Sequence, residues 1–216
     1  MCKNYINGEA LVNLGIEAND KFGCEFNTYK LIPNYQYDCT IEQPPACNNN
    51  RSLGVWSKIC IGEISERTVK RTYYTLWDML KSRNLVKKNI VFKLDTDGGE
   101  YFALKYFPLE FLDYIDQLVM EIHFDYWAPE YWGNLDILRS LSEKFYNVNY
   151  HMNNYGCFSQ FPKIEPYRKL KSHALELTLV NKKLLKLKSE SRSYKMHPLN
   201  TINNPNYHDC QVLNSP

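Results

Sequence analysis

The run Ile90-Val91-Phe92-Lys93-Leu94 constrains this chain more than any other stretch. An apolar run of that length reads as a strand buried inside a sheet, and buried strands belong to parallel sheets covered by helices. It ends in Asp95-Thr96-Asp97-Gly98-Gly99-Glu100: two acids, a pair of glycines and a third acid that opens a helical pattern. A buried parallel strand delivers whatever follows it to the carboxyl edge of the sheet, where open α/β folds bind ligands. Acids at that edge are unfavourable unless they meet a cation, a hydroxyl or a proton to manage. The stretch marks a working edge.

The rest of the chain supplies matching strands and helices. Ala10 to Gly15 reads as a short buried strand closing on a glycine, and Asn19-Asp20 can cap a helix through Phe22, Glu25 and Phe26. Tyr35 to Asp38 is a second strand ending on an acid, and the polar stretch from Glu42 to Arg51 is a loop. Val55 to Ile61 makes a third strand, and Thr75 caps a helix through Leu80. A helix over Glu100 to Phe107 is stopped by Pro108. Gln117 to Phe124 is another buried strand, and Asn134 to Phe145 is an amphipathic helix. Val148 to Met152 and Ala174 to Val180 are closing strands.

Strand and helix patterns alternate from residue 10 to about 146. That alternation predicts an α/β fold: a doubly wound, mostly parallel, Rossmann-like sheet with helices on both faces. The last two strands are joined by an irregular segment, which predicts an antiparallel pair at one sheet edge. From Ser189 the composition turns to Ser, Asn, Pro and Tyr. The division is an α/β domain over 1–188 and a polar C-terminal tail over 189–216.

With 216 residues and 44% hydrophobic residues, the chain can build one full core. A net charge of +2 argues against bulk duplex DNA as a partner. No run reaches transmembrane length, and the start lacks a signal-peptide pattern. Seven scattered cysteines without a C-x-x-C pair predict reduced thiols in a cytoplasmic protein, with a Cys39–Cys47 loop staple as the alternative.

Three strand ends carry polar signals. Gly15 after the first strand and Asp38 after the second lie about 20 residues apart, the spacing that pairs a close-approach glycine with a ribose-binding acid. Asn19 and Asp20 sit in the loop between them. Asp95 and Asp97 point the same way if the strand geometry persists. They could bind a metal, hold a substrate hydroxyl or supply a base. Glu100 suits a structural place in the first turn of its helix. Glu121 and His123, two apart at the end of the next strand, make a natural acid–base pair. His151, with Asn153 and Asn154, ends the strand after that. There is no G-x-S-x-G elbow, phosphate loop or H-E-x-x-H.

Lys93-Leu94-Asp95-Thr96-Asp97-Gly98-Gly99-Glu100 resembles the K-I-D-x-E-G-x-E signature of FkbM-type methyltransferases. The segments Val12 to Ile16, Tyr37 to Thr40, Thr75 to Asp78, Gln117 to Phe124, His151 to Asn154 and Leu175 to Asn181 are similar, in order, to those of a methyltransferase-like branch of that family. The resemblance covers about residues 10 to 182. Asp97 stands where the family has glutamate and Gly99 where alanine is common. Glu17 and Ala18 stand where further glycines are expected. The resemblance implies a class I fold that uses S-adenosylmethionine, with methyl transfer to an oxygen or nitrogen of an unknown acceptor. Gly15, Asn19, Asp20 and Asp38 would then hold the cofactor. Asp95 or His123 would be the base, with Glu121 orienting His123. No metal is implied, and a small molecule or glycan is a better acceptor than nucleic acid. The competing expectations are a non-catalytic interaction protein of the same fold, and a glycosyltransferase using Asp95-Thr96-Asp97 as a D-x-D metal motif.

Overall fold

The structure is a computed structural model that describes residues 7–46, 53–123, 130–154, 174–185, 200 and 203–206, the side chains of 130–135 excepted. In chain order its elements are β1 (Ala10–Leu14), α1 (Lys21–Tyr29), β2 (Asn34–Tyr37), β3 (Gly54–Ser57), β4 (Cys60–Ile61), β5 (Glu66–Arg67) and β6 (Thr72–Tyr74). Then come α2 (Leu76–Ser82), β7 (Ile90–Leu94), α3 (Glu100–Lys105), a 3-10 segment (Leu109–Tyr114), β8 (Ile115–His123), α4 (Glu130–Lys144), β9 (Phe145–Met152) and β10 (Ala174–Asn181).

β1 and β7 pair in parallel, with Leu14 opposite Leu94, and every residue of the two strands except Lys93 is buried. Side chains alternate across a strand, so two cores result. Leu11 and Val91 meet Phe26 of α1 on one face. On the other, Val12, Leu14, Phe92 and Leu94 pack with Leu76 and Met79 of α2, Leu104 of α3 and Leu141 of α4. Slipping the register by one residue would exchange the two sets, which is why two-sided burial pins it.

Among the described residues the main sheet has seven strands in the order β3-β2-β1-β7-β8-β10-β9. β1, β2, β3, β7 and β8 run parallel, and β10 is antiparallel to both β8 and β9. The chain builds outward from β1 to β3 and then returns to the opposite side of β1 with β7. The strand direction of growth therefore reverses between β1 and β7. An antiparallel pair does lie at one edge, with β9 outermost and β10 inserted beside β8.

The sequence reading of one strand over Val55 to Ile61 is corrected. The backbone turns at Lys58, where the Ile59 amide donates to the Ser57 carbonyl at 2.9 Å. β3 joins the main sheet, while β4 enters a separate three-stranded sheet ordered β4-β6-β5. The reading also missed β5 and β6, which are two and three residues long and carry no period to detect.

Thr75 caps α2 as expected, its hydroxyl accepting from the Asp78 amide at 3.1 Å. The disulfide Cys39–Cys60 joins the end of β2 to β4, and Cys24 is disulfide-bonded as well. These correct the expectations of reduced thiols and of a Cys39–Cys47 staple. Of the tail, Asn200, Asn203 and Asn204 bond to β9, to Glu176 of β10 and to Asn154. His173, His197 and His208 lie outside the described residues. No helix among the described residues is long and apolar enough to cross a membrane.

Candidate functional site

A cavity of about 810 Å³ opens at the carboxyl ends of β1, β2, β7 and β8, and the second sheet supplies its outer wall through Cys60, Ile61, Arg71 and Tyr73. It sits where the strand order reverses, the crevice that open α/β sheets leave between diverging connections. Gly15 forms its floor. At φ +69° the chain leaves β1 in the left-handed region, and a Cβ there would stand 1.4 Å from the Asp95 carbonyl oxygen. The Gly15 amide donates to the Tyr37 carbonyl and the Asp95 amide to the Leu14 carbonyl. The exit of β1 is thus wedged between the ends of β2 and β7, and only glycine fits.

Asp38 and Asp20 both line this cavity, with different duties. Asp38 Oδ2 accepts from the amides of Ile16 and Glu17, and Oδ1 from the amide and hydroxyl of Thr40. Burial pushes its carboxyl up, but those four bonds outweigh burial and hold it below the usual range. Asp38 is therefore a clasp between the β1 and β2 loops. Asp20 is 2% exposed and caps α1 through Gly23. Its other bonds come from Asn13 at 2.8 Å, Asn34 at 2.9 Å and Gln36 at 2.5 Å. Four donors saturate a carboxylate. Asp20 thus ties β1, β2 and α1 together and has no acceptor position left for a ligand. A Cβ on Gly23 would stand 2.1 Å from Asp20 Oδ2, so this network also requires its glycine. Asn19 borders the cavity and bridges to Ala46.

At the other end of the cavity Asp95 and Asp97 diverge. The strand ends at Leu94, and Asp97 adopts φ +49° with its side chain 93% exposed. Asp95 turns to Lys93 at 3.1 Å, and Lys93 Nζ also donates to the Gly15 carbonyl. Asp97 turns to His123 Nε2 at 3.6 Å. The expectation that both acids share a side is therefore corrected: the backbone has left the strand before Asp97.

The partner of His123 is likewise corrected, from Glu121 to Glu100. Glu100, fully buried at the start of α3, accepts from the amides of Thr96 and Gly98 and from the Thr96 hydroxyl. Its Oε2 lies 3.3 Å from His123 Nδ1. Burial pushes the Glu100 carboxyl up, but His123 and these donors bring it below its ordinary value. Burial alone would lower the His123 imidazolium, yet Glu100 above all, then Glu121 and Asp97, raise it to about 9. His123 is a fixed cation at neutral pH and a poor base.

Glu121 is the group poised to accept a proton. Burial raises it first and the neighbouring Asp95 charge second, to about 7, against the lowering effect of Asn153 and His123. Asn153 Nδ2 donates to it at 2.6 Å. Register puts Leu94 beside Met120, so Asp95 and Glu121 emerge side by side from β7 and β8. Glu176 and His151 continue the row across β10 and β9. His151, 2% exposed, is held by Glu176 at 3.1 Å and does not line the cavity.

Sequence reasoning missed Lys93, Asn153 as the partner of Glu121, and the wall of the second sheet. Lys93 had a signal, since it lies two residues before Asp95 and so on the same side of its strand. No family model and no curated protein matches the chain.

Proposed function

We propose that the chain is a doubly wound, Rossmann-like methyltransferase of the class I, FkbM-like kind, which takes a methyl group from S-adenosylmethionine to an oxygen or nitrogen of a small-molecule or glycan acceptor. The observation that carries this reading is the cavity itself, with a glycine-wedged β1 exit, an acid after β2 and a tunable carboxyl at the end of β8, all at the point of strand reversal. A parallel sheet closed by an antiparallel penultimate strand also agrees with the fold that the resemblance implies.

The residues present fit such a cofactor. The cavity volume suits a nucleoside-sized ligand. Asp38 and Thr40 would hold the ribose at the β2 end, with Gly15 allowing close approach. The bound cofactor supplies an already activated methyl group on a sulfonium. The protein's own work is then alignment and proton removal. Glu121 is the base, taking the acceptor proton onto a carboxylate raised to about 7. Asp95, braced by Lys93, orients the acceptor. His123 and Glu100 are positioning residues that hold the 96–99 turn.

A second reading has one observation in its favour. The four acceptor positions of Asp38 are filled by its own loops, so a ribose hydroxyl must displace the Thr40 hydroxyl. A chain that never makes this exchange is a non-catalytic interaction protein. The D-x-D glycosyltransferase reading loses support because Asp95 and Asp97 face different partners. The disulfides favour an oxidising compartment over the cytoplasm.

Titration with S-adenosylhomocysteine, followed by thermal unfolding, tests the reading. The expected result is a rise of several degrees at saturation, since a ligand at about 100 times its Kd adds about 2.7 kcal/mol. Stabilisation by UDP with manganese alone would overturn it in favour of glycosyl transfer. Silence from both ligands would leave the interaction protein.

A further inference from the structure

We propose that Cys39 and Cys60 are positioning residues of the cavity: their disulfide latches strand β4 across its mouth, and two-electron reduction of that bond lowers affinity for the ligand. The inference rests on the reading of the cavity as the cofactor site. Cys39 lies between Asp38 and Thr40, the two halves of the clasp, and Cys60 opens β4 in the other sheet. Both cysteines line the cavity, and so do Ile61 and Tyr73, the partner of Cys60 in β6. At its far end β4 leans on the start of α3, where a Cβ on Gly99 would stand 2.9 Å from Ile61 Cγ2. A two-residue strand therefore spans the gap from the end of β2 to the N-terminus of α3.

Among the described residues no strand of the second sheet pairs with the main sheet. Its other ties among the described residues include packing of Ile59, Ile61 and Tyr74 at the edge of the core. The Ser65 hydroxyl bonds to Asp78 and to the Thr75 amide, Lys105 pairs with Glu63 at 3.6 Å and, just before β4, Lys58 pairs with Glu42 at 2.5 Å. These polar ties lie at the surface, and the one that reaches the loop after β2, Lys58–Glu42, is an exposed ion pair. The disulfide is the covalent tie from β4 itself to the loop that carries Asp38; the Asp38 amide also donates to the Ser57 carbonyl at the end of β3. Cutting it loosens the outer wall and, through Cys39, the clasp.

Cys39 is partly exposed and Cys60 is buried, so a thiolate approaches the Cys39 sulfur. A dithiol reductant attacks there, forms a mixed disulfide and expels Cys60 as a thiolate, which takes up a proton. The second thiol of the reductant then displaces Cys39 and departs as a cyclic disulfide. Two electrons and two protons pass from the dithiol to the two cysteines.

Hydrogen exchange on the unliganded full chain decides the matter, comparing oxidised protein, protein treated with dithiothreitol, and the variant Cys39→Ser/Cys60→Ser with and without dithiothreitol. Exchange over residues 59–74 should quicken by about tenfold or more in the reduced protein and in the variant, with β1 and β7 unchanged. Dithiothreitol should add nothing at 59–74 in the variant, which separates this bond from the one at Cys24. Kd for S-adenosylhomocysteine, measured by calorimetry, should rise about tenfold in both, the loss of pre-organisation. Unchanged exchange at 59–74 on reduction overturns the latch, and so does faster exchange with unchanged affinity. If the oxidised chain binds no S-adenosylhomocysteine, the methyltransferase reading fails while the exchange result still decides the latch. If the variant unfolds throughout, reduced wild-type protein carries the comparison.

Discussion

Glu121 and His123 stand two residues apart on β8, and both hold protons more tightly than usual for different reasons. Glu121 is raised to about 7 by burial and by Asp95, whereas His123 reaches about 9 because Glu100, Asp97 and Glu121 overcome its burial. The first arrangement yields a proton acceptor near neutral pH, the second a group that is a cation at neutral pH. Glu121→Gln should therefore lower kcat about 10²- to 10⁴-fold and remove the rising limb of kcat/KM near pH 7. Steady-state rates between pH 5 and 9 would check this, and a variant that kept the limb would move the base elsewhere. At this scale the sequence singled out the strand end where Glu121 and His123 stand, and it paired His123 with Glu121 where the structure places Glu100 against it. Glu121, His123 and Asp95 were visible as a cluster of alternate positions. That His123 belongs to Glu100 was not, because 23 residues and a strand crossover separate them.

Among elements, the β1 exit carries the most constraint. Gly15 must adopt φ +69° beside the Asp95 carbonyl, so a methyl group there collides with backbone that cannot move without unpairing β1 from β7. Gly15→Ala should destabilise the chain by about 3 kcal/mol or more, the sum of left-handed strain and a backbone clash. Urea unfolding would measure it, and a loss below about 1 kcal/mol would show that the wedge is soft. Buried strands and capped helices were legible from the sequence, since two-sided burial writes a continuous apolar run and Thr75 or Asp20 announces a helix start. The second sheet was not. Its strands are too short and too exposed to leave a period, and the disulfide that ties β4 to the end of β2 joins residues 21 apart. Closing a loop of that size contributes about 3 kcal/mol in the chain-entropy picture.

For the molecule as a whole, the same groups set the response to pH. Glu100 and Asp38 have lowered carboxyls, so the stability they contribute is present above their ordinary values of 4.5 and 3.8 and is lost as pH falls. Glu121 is raised, and its contribution is complete below 4.5 and lost as pH rises through about 7. His123 is raised too, and its contribution is complete below 6.5 and lost as pH rises through about 9. Stability should peak near pH 4.5 and decline to about pH 9, first through Glu121 and then through His123. His123→Gln should flatten the decline between 6.5 and 9, and Glu121→Gln the part between 4.5 and 7. Denaturant midpoints at half-unit pH steps would check both, and an unchanged slope in the first variant would contradict the Glu100–His123 pair.

The sequence by itself determined where the buried strands of the main sheet lie, where the chain turns polar at their carboxyl ends, and that Gly15, Asp38 and Asp95 belong to one edge. Those facts are local: periodicity, caps and the composition of a strand end follow from neighbours a few residues away. Tertiary structure alone decided that Asp20 is consumed by Asn13, Asn34 and Gln36, that Asp95 and Asp97 part company, and that Glu100 claims His123. It also decided that Cys39 meets Cys60. Strand order and register bring such groups within bonding distance across long stretches of chain. A buried carboxylate then takes whichever donors are nearest, because leaving it unpaired is the larger penalty.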